Sequence, residues 1–400
     1  MYISRKKMTL SYKLLFSVFG VTAILLAQIG RQLPSQPAST SYEKSGYALF
    51  RYISDYSSGP EVSCSSAILV DRTTGAILYA KAEHQRRAPA STTKIITAIV
   101  ALERLSLEQK VKVSATASHV GGSSVYLRAG EVFTVEELLA GALLKSGNDA
   151  TVALAEAAAG SVAKFAELMN TRAQSLGAEN SSFANSHGLT APNHYSTAFD
   201  LALFANYALG IPTFREFVGK REAEMGREGG EWVRKLRNTN RLLWAFPGAD
   251  GVKTGTTARA GQCLVASATR RGRQLICVVL NSGNRWRDAT ALLEYGFRDF
   301  QLLQVAKKGG SCGSAAVEDG EKSKIKLIAA SDLNVVVRHD EAPALKITRE
   351  IKPLTAPVNE NQQVGSLCAQ LDGVELGRVD LLAQEKVAPK RFLFLKKIFS

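Results

Sequence analysis

The sequence predicts an α+β fold in which an antiparallel sheet is covered by a helical block and followed by a small C-terminal β-rich domain. Three observations predict it. Two strand–turn–strand patterns lie far apart in the chain, a run of helical segments lies between them, and after Leu303 the pattern changes to short strand-like pieces.

The elements follow in order. Ser66–Asp71 and Ala76–Ala80 flank Arg72-Thr73-Thr74-Gly75, a hairpin whose turn ends in glycine. After Pro89, the segment Thr92–Leu105 is apolar on several faces and long enough for a helix buried all round. Thr134 with Glu137 forms a capping-box pattern ahead of a helix to Leu144. Ala150–Ala159 is a second helix closed by Gly160, and Ser161–Leu176 is a third that stops at Gly177. Gln262–Thr269 and Arg273–Leu280 are apolar runs joined at Arg270-Arg271-Gly272, another hairpin, and Trp286–Phe300 is an amphipathic helix. Beyond it, pieces such as Lys324–Ile328 and Leu333–Val337 form a small separate β domain that ends near Ala388.

Apolar residues make up 46 % of 400, enough for two domains with sizeable cores. Arg5, Lys6, Lys7 and Lys13 precede an apolar stretch from Leu14 to Ile29, the pattern of an export signal or an N-terminal membrane anchor. Ala27-Gln28-Ile29 is a poor cleavage site, which leaves signal and anchor both open. Positive charge on the near side places the rest of the chain outside the cytoplasm. The layout expected is an export segment at 1–30, a Ser/Pro-rich linker at 31–58, one domain at 59–302, the β-rich domain at 303–388 and a tail at 389–400. That tail alternates basic and large apolar residues, as an interfacial membrane segment would; a frayed end is the alternative.

The net charge of +14 points to an anionic partner: nucleic acid, membrane surface or acidic polymer. No zinc-finger spacing, aromatic RNA-recognition stretch or central basic run is present, so nucleic acid is set aside. The five cysteines (Cys64, Cys263, Cys277, Cys312, Cys368) lack C-x-x-C spacing and imply neither a zinc site nor a disulfide framework.

Three short motifs carry chemistry. In Ser91-Thr92-Thr93-Lys94, a serine at a helix start has the lysine one turn on along the same face, which brings an amine beside a hydroxyl. Burial of Lys94 disfavours its charged form and lets it act as a neutral base. Alone, Ser91 reads more simply as a helix N-cap. Ser146-Gly147-Asn148 lies between two helices in a tight connection that exposes Ser146 and Asn148; a simple turn with Asp149 as N-cap is the alternative. Lys253-Thr254-Gly255-Thr256 precedes an apolar strand, with Gly255 leaving room for a ligand while Lys253, Thr254 and Thr256 offer donors to a carboxylate; a plain Lys-Thr-Gly turn would be the alternative.

As an ordered set, 55 and 107 residues apart, these match the S-x-x-K, S-x-N and K-T-G motifs of penicillin-binding proteins and class A β-lactamases. The sequence resembles the low-molecular-mass penicillin-binding proteins, serine D-alanyl-D-alanine carboxypeptidases of the bacterial cell wall. The likeness extends through Ala88–Lys94, Lys145–Ala150, Asn185–Leu189, Asp250–Thr257 and Ala260–Cys263, and the β-rich remainder is similar to that family's C-terminal domain. Thr256 stands where some members carry His, and the tail is short for a membrane anchor.

The resemblance implies a penicillin-binding/β-lactamase-like domain that removes the terminal D-alanine from peptidoglycan stem pentapeptides through an acyl-enzyme, and that binds β-lactams covalently. It implies Ser91 as nucleophile, Lys94 as its base, and an oxyanion hole from the N–H groups of Ser91 and Thr256. Ser146 would pass a proton to the leaving D-alanine and Asn148 would hold the substrate amide carbonyl. Lys253 would set the electrostatics, with Thr254 and Thr256 gripping the terminal carboxylate beside Gly255. It implies no metal or organic cofactor, and it makes His187 structural. A class A β-lactamase needs a Glu-x-x-Leu-Asn segment, and Glu167-Leu168-Met169-Asn170 is one residue short. A receptor-like sensor needs several membrane spans where one apolar run is present. A transpeptidase would use the same residues with an amine in place of water.

Overall fold

The structure, a computed structural model, describes residues 50–52, 59–226 and 233–390. The expected export segment, most of the linker and the tail from 391 lie outside the described residues.

A six-stranded sheet organises the first part of the chain. Its strands are β1 (Arg51–Tyr52), β2 (Ser66–Asp71), β3 (Ala76–Lys81), β4 (Ala249–Thr257), β5 (Gly261–Arg270) and β6 (Arg273–Ser282). Their order is β1-β3-β2-β6-β5-β4, antiparallel throughout except for the β1–β3 pair. Both expected hairpins therefore form, and they meet at the centre, where β2 pairs with β6. The β2–β3 turn is tied by Asp71, whose buried carboxylate accepts from the backbone N–H groups of Thr73 and Thr74, both at 3.0 Å. Its other oxygen accepts from Arg273 Nε at 2.7 Å, so the two hairpins share one buried ion pair. The β5–β6 turn uses Arg271 and Gly272 at φ +50° and +79°, the left-handed pair that a right-twisted two-residue hairpin demands.

On one face lie α1 (Lys94–Arg104), α2 (Val135–Leu143), α3 (Asn148–Ala159), α4 (Val162–Ser175), α5 (Ala198–Ala208) and α6 (Pro212–Gly219). Lys94 through Ala101 of α1 are all buried, because α2, α3, α4 and α5 pack around it. The capping box of α2 is complete: Thr134 N–H donates to Glu137 Oε2 at 2.8 Å, and Glu137 N–H donates back to Thr134 Oγ1 at 3.2 Å. The region 177–248, which the hydrophobic pattern leaves unassigned, contains α5, α6 and a short strand pair; α5 is apolar nearly all round and has no stripe to read.

The opposite face is covered by α7 (Arg285–Arg298). A Cβ on Gly296 would fall 2.6 Å from Leu275 Cδ1 and 2.8 Å from Leu69 Cδ2, so glycine lets this helix approach the sheet. The chain then enters β7 (Phe300–Ala306), which crosses the expected boundary at 302/303 and pairs with β10 (Leu333–Arg338). The remaining strands are β8 (Ser311–Ala316), β9 (Lys324–Ala329), β11 (Lys346–Ile351), β12 (Gln363–Leu371) and β13 (Val374–Ala383), in the sheet order β8-β9-β13-β12-β11. One apolar cluster runs from Leu69 and Leu78 through Leu292 to Val335 and Leu381.

Candidate active site

The chain enters α1 through a 3-10 turn, Ala90–Thr93, with Ala90 at φ +48°. Ser91 therefore sits in this turn and not at an α-helical N-terminus, as expected from the sequence. One residue beyond the turn, Lys94 begins α1, and its side chain runs back beneath Ser91. Its Nζ lies 3.0 Å from Ser91 Oγ, 2.7 Å from Asn148 Oδ1 and 2.9 Å from the His187 carbonyl oxygen. Lys94 is fully buried, and burial, then the charge of Lys253, hold its pKa well below the ordinary lysine value, with Asp149 acting weakly the other way. The contacts suit a neutral amine. When charged, the amine donates to all three; when neutral, Asn148 Oδ1 and the His187 carbonyl, which can only accept, take its two N–H groups and the lone pair is left for the Ser91 hydroxyl.

Ser146 occupies the link between α2 and α3 at φ +67°. It lines a cleft together with Ser91, Ser123, Thr254 and Thr256. Asn148, the first residue of α3, lies beneath that cleft: its Nδ2 donates to the Gly121 carbonyl at 2.7 Å and its Oδ1 accepts from Lys94. The helix cap is Gly147, not Asp149. The Asp149 carboxylate instead accepts from the N–H groups of Val125 at 3.1 Å and Leu127 at 3.0 Å, fastening the 121–127 loop along the cleft floor.

The Lys-Thr-Gly triplet is no turn: it lies within β4, at the edge of the sheet, directly ahead of the apolar strand β5. The reason for Gly255 also differs from the one expected. A Cβ there would meet Ser91 N at 2.9 Å and Pro89 O at 3.0 Å, so glycine is what lets β4 pass against the Ser91 turn. Lys253 is buried, donates to the Thr254 carbonyl at 3.2 Å, and has its pKa drawn down to about 7 by burial and by nearby Arg285. Thr254 Oγ1 is 2.7 Å from Thr239 Oγ1.

Sequence reasoning missed the arginines. Arg285, at the start of α7, donates to Thr256 Oγ1 at 2.8 Å and to the Gly255 carbonyl at 2.7 Å, while Arg237 and Arg241 line the same cleft with Trp244 and Trp286. No motif marks them; they come from two separate segments that only the fold unites. The His187 contribution is through its backbone: its ring Nδ1 accepts from Leu189 N–H at 3.2 Å, and burial, then the charge of Lys94, lower the ring pKa to about 4. Among the described residues, no group of three His, Cys, Asp or Glu side chains is placed to hold a metal ion.

A serine hydroxyl backed by a buried amine, between a helical block and a sheet-edge Lys-Thr-Gly strand, defines a serine enzyme of the penicillin-binding class. The sequence matches the D-alanyl-D-alanine carboxypeptidase family over residues 54–284 and the C-terminal domain of penicillin-binding protein 5 over residues 300–389. It is 36 % identical to the D-alanyl-D-alanine carboxypeptidase DacF of Bacillus subtilis, a match that covers 83 % of this chain and 88 % of that one. It is likewise 36 % identical to DacC of Escherichia coli, over 82 % and 85 % of the two chains. The crystal structure of penicillin binding protein 5 from Haemophilus influenzae superposes with a TM-score of 0.71 at 30 % identity, covering 83 % of this chain and 99 % of that one. The chain belongs to the D-alanyl-D-alanine carboxypeptidase family and is a serine-type peptidase of the penicillin-binding class.

Proposed function

We propose that the reacting group is Ser91 and that its substrate is the peptidoglycan stem pentapeptide. The observation that carries this is the Lys94 amine, 3.0 Å from Ser91 Oγ with its N–H groups engaged elsewhere. Lys94 takes the hydroxyl proton as Ser91 Oγ attacks the carbonyl of the penultimate D-alanine. The N–H groups of Ser91 and Thr256 receive the developing oxyanion. Ser146 hands a proton to the departing D-alanine nitrogen, and water then hydrolyses the acyl-Ser91 ester. Asn148 acts by holding Lys94 in place; since one of its amide hydrogens is committed to Gly121, the second remains for the substrate carbonyl. Thr254, Thr256 and Arg285, above the buried charge of Lys253, grip the terminal carboxylate. A β-lactam acylates the same serine but has no diffusible leaving group.

Export fits this substrate, and the basic, apolar N-terminal sequence and the basic tail supply the means to hold the enzyme at an anionic membrane surface. The layout proposed is a catalytic domain over 59–302 and a β-rich domain over 303–388, supported by the two family matches.

The test is mass spectrometry of a stem pentapeptide incubated with enzyme. Release of one D-alanine, lost in Ser91→Ala, is the expected result. Release that persists in Ser91→Ala, or cross-linked product in place of free D-alanine, contradicts the reading.

A further inference from the structure

Arg285 reaches the proposed carboxylate clamp from another element. It leaves the first turn of α7, and its Nη1 donates to the Gly255 and Cys263 carbonyls at 2.7 and 3.0 Å while Nη2 donates to Thr256 Oγ1 at 2.8 Å. Those contacts fix the far end of the side chain. Its root lies beside the link between β6 and α7, residues 283–284, and that link has a fastening of its own.

The fastening is Asp288. This buried carboxylate, one turn beyond Arg285, accepts from Ser63 N–H at 3.0 Å, Ser63 Oγ at 2.8 Å and Ser282 Oγ at 2.7 Å. A hydroxyl that donates to a carboxylate keeps its lone pairs for another donor. Here that donor is the Asn284 N–H, 3.0 Å from Ser282 Oγ and 3.3 Å from Ser63 Oγ. Asn284 in turn caps α7, its Oδ1 accepting from Arg287 N–H at 3.1 Å. The residue directly before Arg285 is thus held by two serines that Asp288 orients, one of them 225 residues away on the approach to β2. Neither Ser63 nor Asp288 lines the cleft, so whatever they do for a substrate passes through Arg285.

We propose that Asp288 and Ser63 are positioning residues for substrate selection, setting the root of Arg285 so that its guanidinium meets the terminal carboxylate. The inference rests on the carboxylate clamp proposed above. A displacement of about 1 Å at a positioning group can cost about a hundredfold in rate. The rest of the site is insulated from such a shift: β4 keeps its ladder with β5 through Thr256 and Thr257, and Ser91 and Lys94 stand on the turn before α1 and its first residue. Loss of the fastening should therefore slow a substrate that presents a carboxylate and spare one that does not.

The experiment measures kcat/KM for a stem pentapeptide and for the same peptide amidated at its C-terminal D-alanine. It uses full-length wild type, Ser63→Ala, Ser63→Thr and Asp288→Asn, each also in an Arg285→Gln background. Ser63→Ala should slow the free acid at least about threefold and Asp288→Asn at least about tenfold, with the amide within about twofold in both. Ser63→Thr keeps the hydroxyl and should recover most of the acid rate. In the Arg285→Gln background neither Ser63→Ala nor Asp288→Asn should slow the acid by more than about twofold, because the residue they position is gone. Ser63 lies at the surface, so Ser63→Ala tests the idea even where Asp288→Asn fails to fold. Equal losses on acid and amide, the same loss with and without Arg285, or no loss on the acid overturns the inference. Wild type that treats acid and amide alike overturns the clamp as well.

Discussion

Lys94→Ala should acylate with penicillin at least about a hundredfold more slowly than the parent enzyme, the usual scale for loss of a general base. The second-order rate of adduct formation, followed by mass spectrometry, is the measurement. The size follows from the environment of the amine. Lys94 is buried and, among the described residues, belongs to no ion pair, and its pKa is held well below the ordinary value, first by desolvation and then by Lys253. Falling pH protonates the amine, removes the lone pair facing Ser91 Oγ and slows acylation. The parent should therefore show an acid limb set by this depressed pKa, and the variant should lack it. A variant that acylates at the parental rate, or keeps the same acid limb, would assign the base elsewhere.

Amidation of the substrate's C-terminal D-alanine should cost about 2–5 kcal/mol, or roughly 30-fold to several-thousandfold in kcat/KM. The scissile bond is untouched. In the proposed clamp, what is lost is the negative charge that would meet Arg285, Thr254 and Thr256 over Lys253, four donors brought to one stretch of β4. In an Arg285→Gln, Thr256→Val variant the discrimination should collapse to within about tenfold, because the free acid slows toward the amide. Comparable kcat/KM for acid and amide on the parent enzyme would remove the clamp from the account.

Ser91, Lys94, Ser146, Asn148 and the Lys-Thr-Gly triplet were legible because their chemistry is local in spacing: an amine one turn from a hydroxyl, a tight interhelical link, and small residues beside donors. The hairpins at Gly75 and Gly272 and the Thr134–Glu137 capping box were legible for the same reason. The arginines were not. Arg237, Arg241 and Arg285 are three of 50 basic residues, and only the approach of α7 and the 237–245 segment to β4 separates them from the rest. The role of Gly255 was misread because the collision it avoids is with Pro89 and Ser91, more than 160 residues away in sequence. Helix α5 was missed because burial on every side removes the periodicity that would reveal it.

The residue that becomes acylated decides the chemistry of the whole cleft. Treatment with penicillin, proteolysis and mass mapping should find one penicilloyl adduct, on the peptide containing Ser91, and none in Ser91→Ala. An adduct on any other residue, or an acylation-competent Ser91→Ala variant, would contradict the assignment of Ser91 and Lys94 as nucleophile and base.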